Sequence, residues 1–483
     1  MLHIIFISVY LVLLMILGIW KSRQVKTQSD FAVAGRSLTP WVLTGTMLAT
    51  WIGTGSIFGN AGKTFDTGLQ GWILCIGGVL GILILISIAG KVRSFNKFTV
   101  PEIIGERYGN VARLLSVITL VVAYMVIVSY QYNAGGTVVH RIFQDSNGNQ
   151  LMSLEWATVF AAAFIVLYTV LAGLLSVAYT DYIIGITMTI GLLITVPFLY
   201  FKAGGWSGIE ENFLAMGKPE HMKAWGVYSW MEMLMFSLPP FLLILGDANM
   251  YQRFSASKTQ KGATQATVVL LFAVLLIEML IVLGAWIASS MIPEAEIHKH
   301  IMIYTSFDLL PKFLGAILLT TIVGIIISTA DSYLLVPATT LVKDVYHQHI
   351  NPKASEKKIV LVSRLIVLAL GFIAYLMSRK FQSSSEFFTK ALYAYTIYGA
   401  GITPALVAAL FWKRASKAGA ISSIAAGTII TLLWKEAAFV KNLFPEDFYN
   451  QTDEVLPAII ISVLCLVVFS LLLPDKKKLD INS

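Results

Sequence analysis

The stretch Leu48-Ala49-Thr50-Trp51-Ile52-Gly53-Thr54-Gly55-Ser56 decides the fold. It begins well inside an apolar run, residues 41 to 61, of the length that spans a membrane. Its two glycines and small hydroxyl side chains undermine a continuous helix in mid-membrane. A second interruption, Phe236-Ser237-Leu238-Pro239-Pro240, lies at nearly the same depth in another run, residues 228 to 250. Paired breaks at corresponding positions of two five-helix sets point to inverted repeats with a solute site at the breaks. Unwound backbone there leaves carbonyls and amides free to bind. Gly and Pro also act as ordinary kinks and packing points in transmembrane helices, but here the matching depth favours the repeat.

The rest of the chain agrees with a membrane setting. Of 483 residues, 57% are hydrophobic and 13% charged, with a mean hydropathy of +0.76, whereas soluble domains carry about 25% charged residues. Apolar runs at 3 to 20, 41 to 61, 70 to 90, 113 to 135, 156 to 175, 183 to 201, 228 to 250, 264 to 288, 313 to 337, 359 to 377, 391 to 411, 419 to 434 and 456 to 473 predict about thirteen crossings. The fold class is an all-α polytopic membrane protein. A single membrane domain over 1–483 is expected, with repeat one over about 41–201 and repeat two over about 228–411. Helix 3–20 and helices 419–434 and 456–473 are expected at its periphery.

The net charge of +8 does not argue for nucleic acid, because membrane proteins collect Lys and Arg in cytoplasmic loops. Lys91, Arg93 and Lys97, then Arg253, Lys258 and Lys261, then Lys343, Lys357, Lys358 and Arg364, then Lys413, Arg414 and Lys417, and finally Lys476, Lys477 and Lys478 all fall on one side. Counted over the chain that side holds about a two-to-one excess, which puts the N-terminus outside and the C-terminus inside. The first run lacks a preceding basic residue and a small-residue cleavage site, so it reads as a helix and not as a signal peptide. Cys75 and Cys465 lie inside apolar runs and read as packing residues.

The ninth run contains Ile325-Ile326-Ile327-Ser328-Thr329-Ala330-Asp331-Ser332. At helical spacing Ile325, Ser328, Thr329 and Ser332 share one face, giving a stripe of oxygens of the kind hard cations take. A rise of about 1.5 Å per residue puts Ser328 roughly 15 Å from the cytoplasmic end, and Ala49 and Ile52 roughly 12 to 16 Å from the same side. Two carbonyls at the break, the Ser328 and Thr329 hydroxyls and one carbonyl of the ninth helix would make a cage for a monovalent cation. The competing reading, hydroxyls bonded back to their own helix, suits isolated residues better than such a cluster. Asp181, Asp331 and Ser332 could form a second ion site, or Asp181 could cap the sixth helix while Asp331 pairs with a basic loop residue. Glu278, buried near the middle of the eighth run, could meet an amine-bearing solute or a tyrosine. Asp247 is expected to serve a gate or the nearby Arg253.

Four motifs carry a resemblance: Phe31-Ala32-Val33-Ala34-Gly35-Arg36; Ala172-Gly173-Leu174-Leu175-Ser176-Val177-Ala178-Tyr179-Thr180-Asp181; Ser328-Thr329-Ala330-Asp331-Ser332; and Phe411-Trp412-Lys413-Arg414 followed by Gly419-Ala420. Together and in this order they resemble the sodium:solute symporters, the family of proline, glucose, pantothenate and sialic acid carriers. The resemblance implies a leucine-transporter-type five-plus-five inverted repeat with broken helices 2 and 7. It implies a first sodium at Ala49, Ile52, Ile325, Ser328 and Thr329, and a second sodium site or ion pathway at Asp181. Trp51, Gly55, Ser56, Gln131, Tyr132, Phe236 and Glu278 are the expected solute contacts. The polar anchors of sugar carriers are missing from the broken helix 2, which disfavours a sugar.

The expected function is sodium-coupled import of a small organic solute, an amino acid, carboxylate or similar, by alternating access. Proton coupling through Asp331 and Glu278 is the alternative, and a passive channel the weaker one. The expected setting is the cell (inner) membrane, multi-pass, with sodium co-transported, no organic cofactor, the bilayer and the solute as partners, and a monomer sufficient. No enzyme is expected. Gly205-Trp206-Ser207-Gly208 mimics a hydrolase motif but lies in a loop with no buried histidine beside it, and HExxH and P-loop patterns do not occur.

Overall fold

A computed structural model of the protein describes residues 2–144, 149–293, 300–381 and 387–475. Among these residues the regular structure is helical, with two isolated bridges, Leu38 to Ser257 and Gln144 to Gln150. The main helices are α1 (Leu2–Ser22), α2 (Pro40–Trp51), α3 (Ala61–Thr67), α4 (Ile76–Ser94), α5 (Asn110–Ile142), α6 (Leu154–Leu171), α7 (Leu174–Lys202) and α8 (Trp230–Gly246). They continue with α9 (Ala248–Ala256), α10 (Gln260–Ser289), α11 (Lys312–Thr340), α12 (Glu356–Phe381), α13 (Phe387–Gly401), α14 (Thr403–Phe411), α15 (Lys417–Glu436) and α16 (Val455–Leu472). Lys476, Lys477 and Lys478 of the expected basic set lie outside the described residues.

Among the described residues twelve helices are long and apolar enough to cross a membrane. The thirteenth expected segment is the interrupted one. Pro at the first helical position starts α2, and the helix stops after 12 residues, short of a spanning length. Ile52 turns extended (φ −75°, ψ 100°). Beyond Gly53 and Thr54 the chain resumes as a wide-turned stretch, Gly55–Asn60, and then α3. From Gly55 to Ser94 the helical pieces follow one another as a single candidate span.

The second break is displaced from its expected place. α8 starts from a capping box in which Ser229 Oγ accepts from Glu232 N (3.2 Å) and Glu232 Oε2 accepts from Ser229 N (2.8 Å). It then runs straight through Pro239 and Pro240 and ends at Asp247 (ψ 114°). The prolines do not unwind it, because α4 backs it closely: a Cβ on Gly77 would stand 1.9 Å from Ser237 O. Their cost is local, since Met235 O and Phe236 O lose their helical donors. Asp247 makes the break and caps the next helix, accepting from Asn249 N at 3.1 Å.

Two other boundaries move. α7 begins at Leu174, after extended Ala172 and Gly173, and not near residue 183, so Asp181 lies two turns inside a helix and does not cap it. Arg253, expected in a cytoplasmic loop, lies on α9, whose nine residues are all buried. Ser257 and Leu38 tie that helix to the start of α2, through Leu38 N to Ala256 O (3.1 Å) and Lys258 N to Leu38 O (3.0 Å).

Burial separates centre from rim. The most apolar window of the span containing α11 is 83% buried in the molecule, against 17% for α1 and 28% for α16. α11 packs on α2, α5, α7 and α9, while α1 lies outside α7 and α11, and α15 pairs with α16. The stripe on α11 therefore faces protein and not lipid.

Candidate functional site

The break in α2 meets the oxygen stripe of α11. Leu48 O still accepts from Ile52 N (3.0 Å), so the carbonyls from Ala49 onward are those a helix C-terminus leaves without intrahelical donors. One of them is used across the interface: Thr329 Oγ1 donates to Ile52 O at 3.3 Å. The approach is close, since a Cβ on Gly53 would stand 3.0 Å from Thr329 Cγ2 and 3.1 Å from its Oγ1. Ala49, Ile52, Ile325, Ser328 and Thr329 are all buried. Ser328 Oγ donates to Asp181 Oδ1 (2.5 Å), which commits its proton to α7 and leaves its lone pairs for another partner. Gln131 of α5 lies beside this junction, its Nε2 being 3.4 Å from a Cβ placed on Gly53. Both of its amide atoms are buried without a hydrogen-bond partner among the described residues.

One turn further along α11, the structure assembles a charged cluster that includes a residue the sequence reading put elsewhere. Arg253 and Asp181 are both 0% exposed and paired at 3.3 Å. Arg253 also donates to Ser332 Oγ (2.6 Å), Thr46 Oγ1 (3.0 Å) and Asn249 O (3.3 Å). Thr46 Oγ1 in turn donates to Asp181 Oδ2 (2.6 Å), Ser332 Oγ lies 3.1 Å from Thr50 Oγ1, and Ser332 Oγ donates to Asp331 Oδ1 (3.3 Å). Asp331 Oδ2 is buried without a hydrogen-bond partner among the described residues. Asp181, Asp331 and Ser332 are thus brought together, with a guanidinium among them. Asp247 Oδ1 accepts from the Tyr124 hydroxyl and from Asn249 Nδ2 (3.4 Å), and Asn249 Oδ1 in turn accepts from Arg253 (3.4 Å), so Asp247 joins the cluster through Asn249.

A cavity lies on the other side of the break, holding about 490 Å³ of empty space, part of it open to solvent. Trp51, Gly55, Ser56, Phe236 and Glu278 of the expected solute contacts line it. Gln131 does not, and neither does Tyr132, whose hydroxyl faces Gly371 of α12. Asn60, Cys75, Phe388 and Tyr395 line it too, and the sequence reading missed all four. Three of them sit on segments expected to be plain spanning helix or connection, and only the distance of Asn60 from the break, one helical turn after Ser56, could have signalled a shared face. Trp51 stacks on Tyr395 (6.5 Å, 21°). Phe236 and Phe388 meet edge to face (5.2 Å, 79°) and also line a second cavity, with Lys63, Lys435, Asp453 and Glu454 on its far wall. Burial pushes the carboxyls of Asp453 and Glu454 above their ordinary range, against the pull of Lys435.

Residues 31–427 match the sodium:solute symporter family. The osmoregulated proline transporter OpuE of Bacillus subtilis is 25% identical, over 97% of this chain and 94% of its own. A sodium/proline symporter of Staphylococcus aureus is 25% identical, over 96% and 92%, and one of Haemophilus influenzae 25%, over 98% and 95%. Among solved structures, the substrate-bound outward-open state of a Na+-coupled sialic acid symporter superposes with a TM-score of 0.82 at 17% identity, covering 99% of both chains. Mhp1, a nucleobase-cation-symport-1 family transporter in a closed conformation, gives 0.58 at 14% identity, over 93% and 96%. At these identities the structures speak to the fold, which is the inverted-repeat one.

Proposed function

The chain belongs to the sodium:solute symporter family and is a multi-pass membrane carrier coupling a solute to sodium; from this we propose that one sodium binds between the α2 break and α11 and drives import of a small organic solute held in the cavity beside it. The observation that carries this reading is the bond from Thr329 Oγ1 to Ile52 O. It joins the residue stripe of α11 to the broken backbone, where a cation taking both oxygens would replace it. Ala49 O, Ile325 O and the lone pairs of Ser328 complete the proposed cage. The cavity's lining, aromatic rings around a few polar groups, is of the kind that small-ligand sites have. Relatives named for proline make that amino acid the first solute to try.

Asp181, Asp331 and Ser332 then belong to the ion's path and not to a second stored sodium, because Arg253 already supplies a positive charge among them. Ser328 links the two: its oxygen faces the sodium cage and its proton holds Asp181. Phe236 and Phe388, shared by the two cavities, serve as the gate over the solute. One sodium suffices energetically. An inward charge at 100 mV contributes about 2.3 kcal/mol and a tenfold gradient about 1.4 kcal/mol. Together they support roughly 500-fold accumulation of a neutral solute.

The test is thermal melting of the purified protein in potassium buffer, titrated with sodium, for wild type and Ser328→Ala/Thr329→Ala. Saturable, sodium-specific stabilisation that disappears in the double variant is the expected result. Stability that ignores sodium and follows pH alone would remove the sodium site and favour proton coupling.

A further inference from the structure

Resting on the solute-cavity reading above, we propose that the solute carries an ammonium group, held by the carboxylate of Glu278 in an aromatic box. Glu278 projects from α10, is 4% exposed, and has no ion-pair partner among the described residues. Three donors converge on it: Ser56 Oγ to Oε1 at 2.6 Å, and Asn60 Nδ2 (3.2 Å) and Cys75 Sγ (3.6 Å) to Oε2. A carboxyl surrounded by donors is arranged as the ionised, acceptor-only form. Among the described residues no Lys, Arg or His lines the cavity. The negative charge therefore lacks the cation that intramembrane carboxylates ordinarily pair with, and an incoming ammonium would supply it.

The walls suit the same group. Trp51, Phe236, Phe388 and Tyr395 put four aromatic rings around the space, and ring faces attract ammonium groups, quaternary ones included. Phe236 O, stripped of its helical donor by Pro240, leaves an acceptor free on α8, where Phe236 and Pro240 both line the cavity. A simple carboxylate solute would meet the Glu278 charge and no cationic side chain. Amines, quaternary ammonium compounds and zwitterionic amino acids share the recognised chemistry. An uncharged hydroxyl-rich solute or an anion does not.

The experiment uses the full chain and pairs of probes matched in shape. Choline is set against 3,3-dimethylbutan-1-ol, and L-proline against cyclopentanecarboxylate, within a wider set of standard amino acids and amines, each added to the sodium-loaded protein while its melting is followed. Stabilisation is expected only from ammonium-bearing members. Glu278→Gln, which keeps the side-chain shape, should weaken it by about tenfold or more, the worth of a charge-assisted bond, and leave the sodium response intact. A neutral or anionic partner that stabilises as well as its ammonium counterpart overturns the proposal, as does undiminished affinity in Glu278→Gln. So does an ammonium set that is silent in a protein still responding to sodium. The wild-type pairs need no variant, so a Glu278→Gln protein that does not fold leaves the test standing. Absence of any sodium response counts against the symport reading instead, and ammonium binding without sodium would then preserve this one.

Discussion

Replacing Arg253 with glutamine leaves the Asp181 carboxylate buried without its cation. The pair is 3.3 Å apart with both side chains fully buried, and at an effective dielectric of 20 its attraction is about 5 kcal/mol. Desolvation offsets much of that in the intact pair, but a single substitution removes the attraction and keeps the desolvated carboxylate, so the net loss should be about 3–5 kcal/mol. Four other contacts go with it, to Ser332 Oγ, Thr46 Oγ1, Asn249 O and Asn249 Oδ1, and Asp331 remains in the same cluster through Ser332. Asp181→Asn in the Arg253→Gln background removes the stranded charge and should recover part of the loss, with a coupling within about 0.5–3 kcal/mol. The assay is thermal melting of the detergent-solubilised protein for wild type, both single variants and the double variant. An Arg253→Gln protein that melts with wild type, or a double variant whose loss is the plain sum of the two, would refute the pairing as a fixed element of this conformation.

Two further outcomes follow from geometry and from titration. Gly53→Ala places a Cβ 3.0 to 3.1 Å from the Thr329 side chain, so Thr329 must retreat from Ile52 O and sodium affinity should fall by roughly tenfold, the cost of about one hydrogen bond to an ion; a sodium titration of melting that matches wild type would contradict this. Burial raises the carboxyls of Asp453 and Glu454, with Lys435 opposing in each case. A raised folded-state value means their contribution to stability is complete below the ordinary carboxyl range of about 4 and is lost as pH rises through the raised values. Melting temperature should therefore decline from about pH 4 toward neutrality, and Asp453→Asn/Glu454→Gln should flatten the decline; an unchanged slope in the variant assigns it to other groups.

Much of this architecture is legible in the sequence because the bilayer is a severe constraint. Apolar runs of spanning length can only be helices there, and a Gly-rich interruption such as Gly53-Thr54-Gly55 has no other mid-membrane use as plain as an opened backbone. The 3.6-residue period put Ser328 and Thr329 on one face, and helix rise brought that face level with Ile52, which is where Thr329 Oγ1 stands. Pro239-Pro240 gave a false position for the second break. A proline deletes one donor and crowds the preceding turn, but a helix clamped as tightly as α8 is against Gly77 keeps its course, whereas Asp247 interrupts the helix by using its own side chain as the next cap.

Arg253 was missed for a related reason. Positive residues near the ends of spans are assigned to cytoplasmic loops by statistics that describe topology and not packing. The signal that could have found it is a balance of charge: Asp181 and Asp331 both fall on helices with no nearby basic residue in sequence, and a buried carboxylate pair has to be met by a cation, a proton or a bound ion. Of the Lys and Arg residues, Arg253 follows Asp247 by less than two helical turns in a stretch, Ala248–Ala256, too short to be a span and too buried to be a loop. Its guanidinium, with a rigid fork of donors and a charge that does not titrate away, can hold Asp181 and Ser332 at once. A lysine has one nitrogen, which could stand in for Nη2 toward Asp181 and Ser332 but could not also make the bonds of Nε and Nη1 to Thr46 Oγ1 and Asn249 O. The same balance applied to Glu278 finds no such residue among the described ones, and on the proposal above that difference between the two buried carboxylate sites separates a charge satisfied by the fold from one left for the solute.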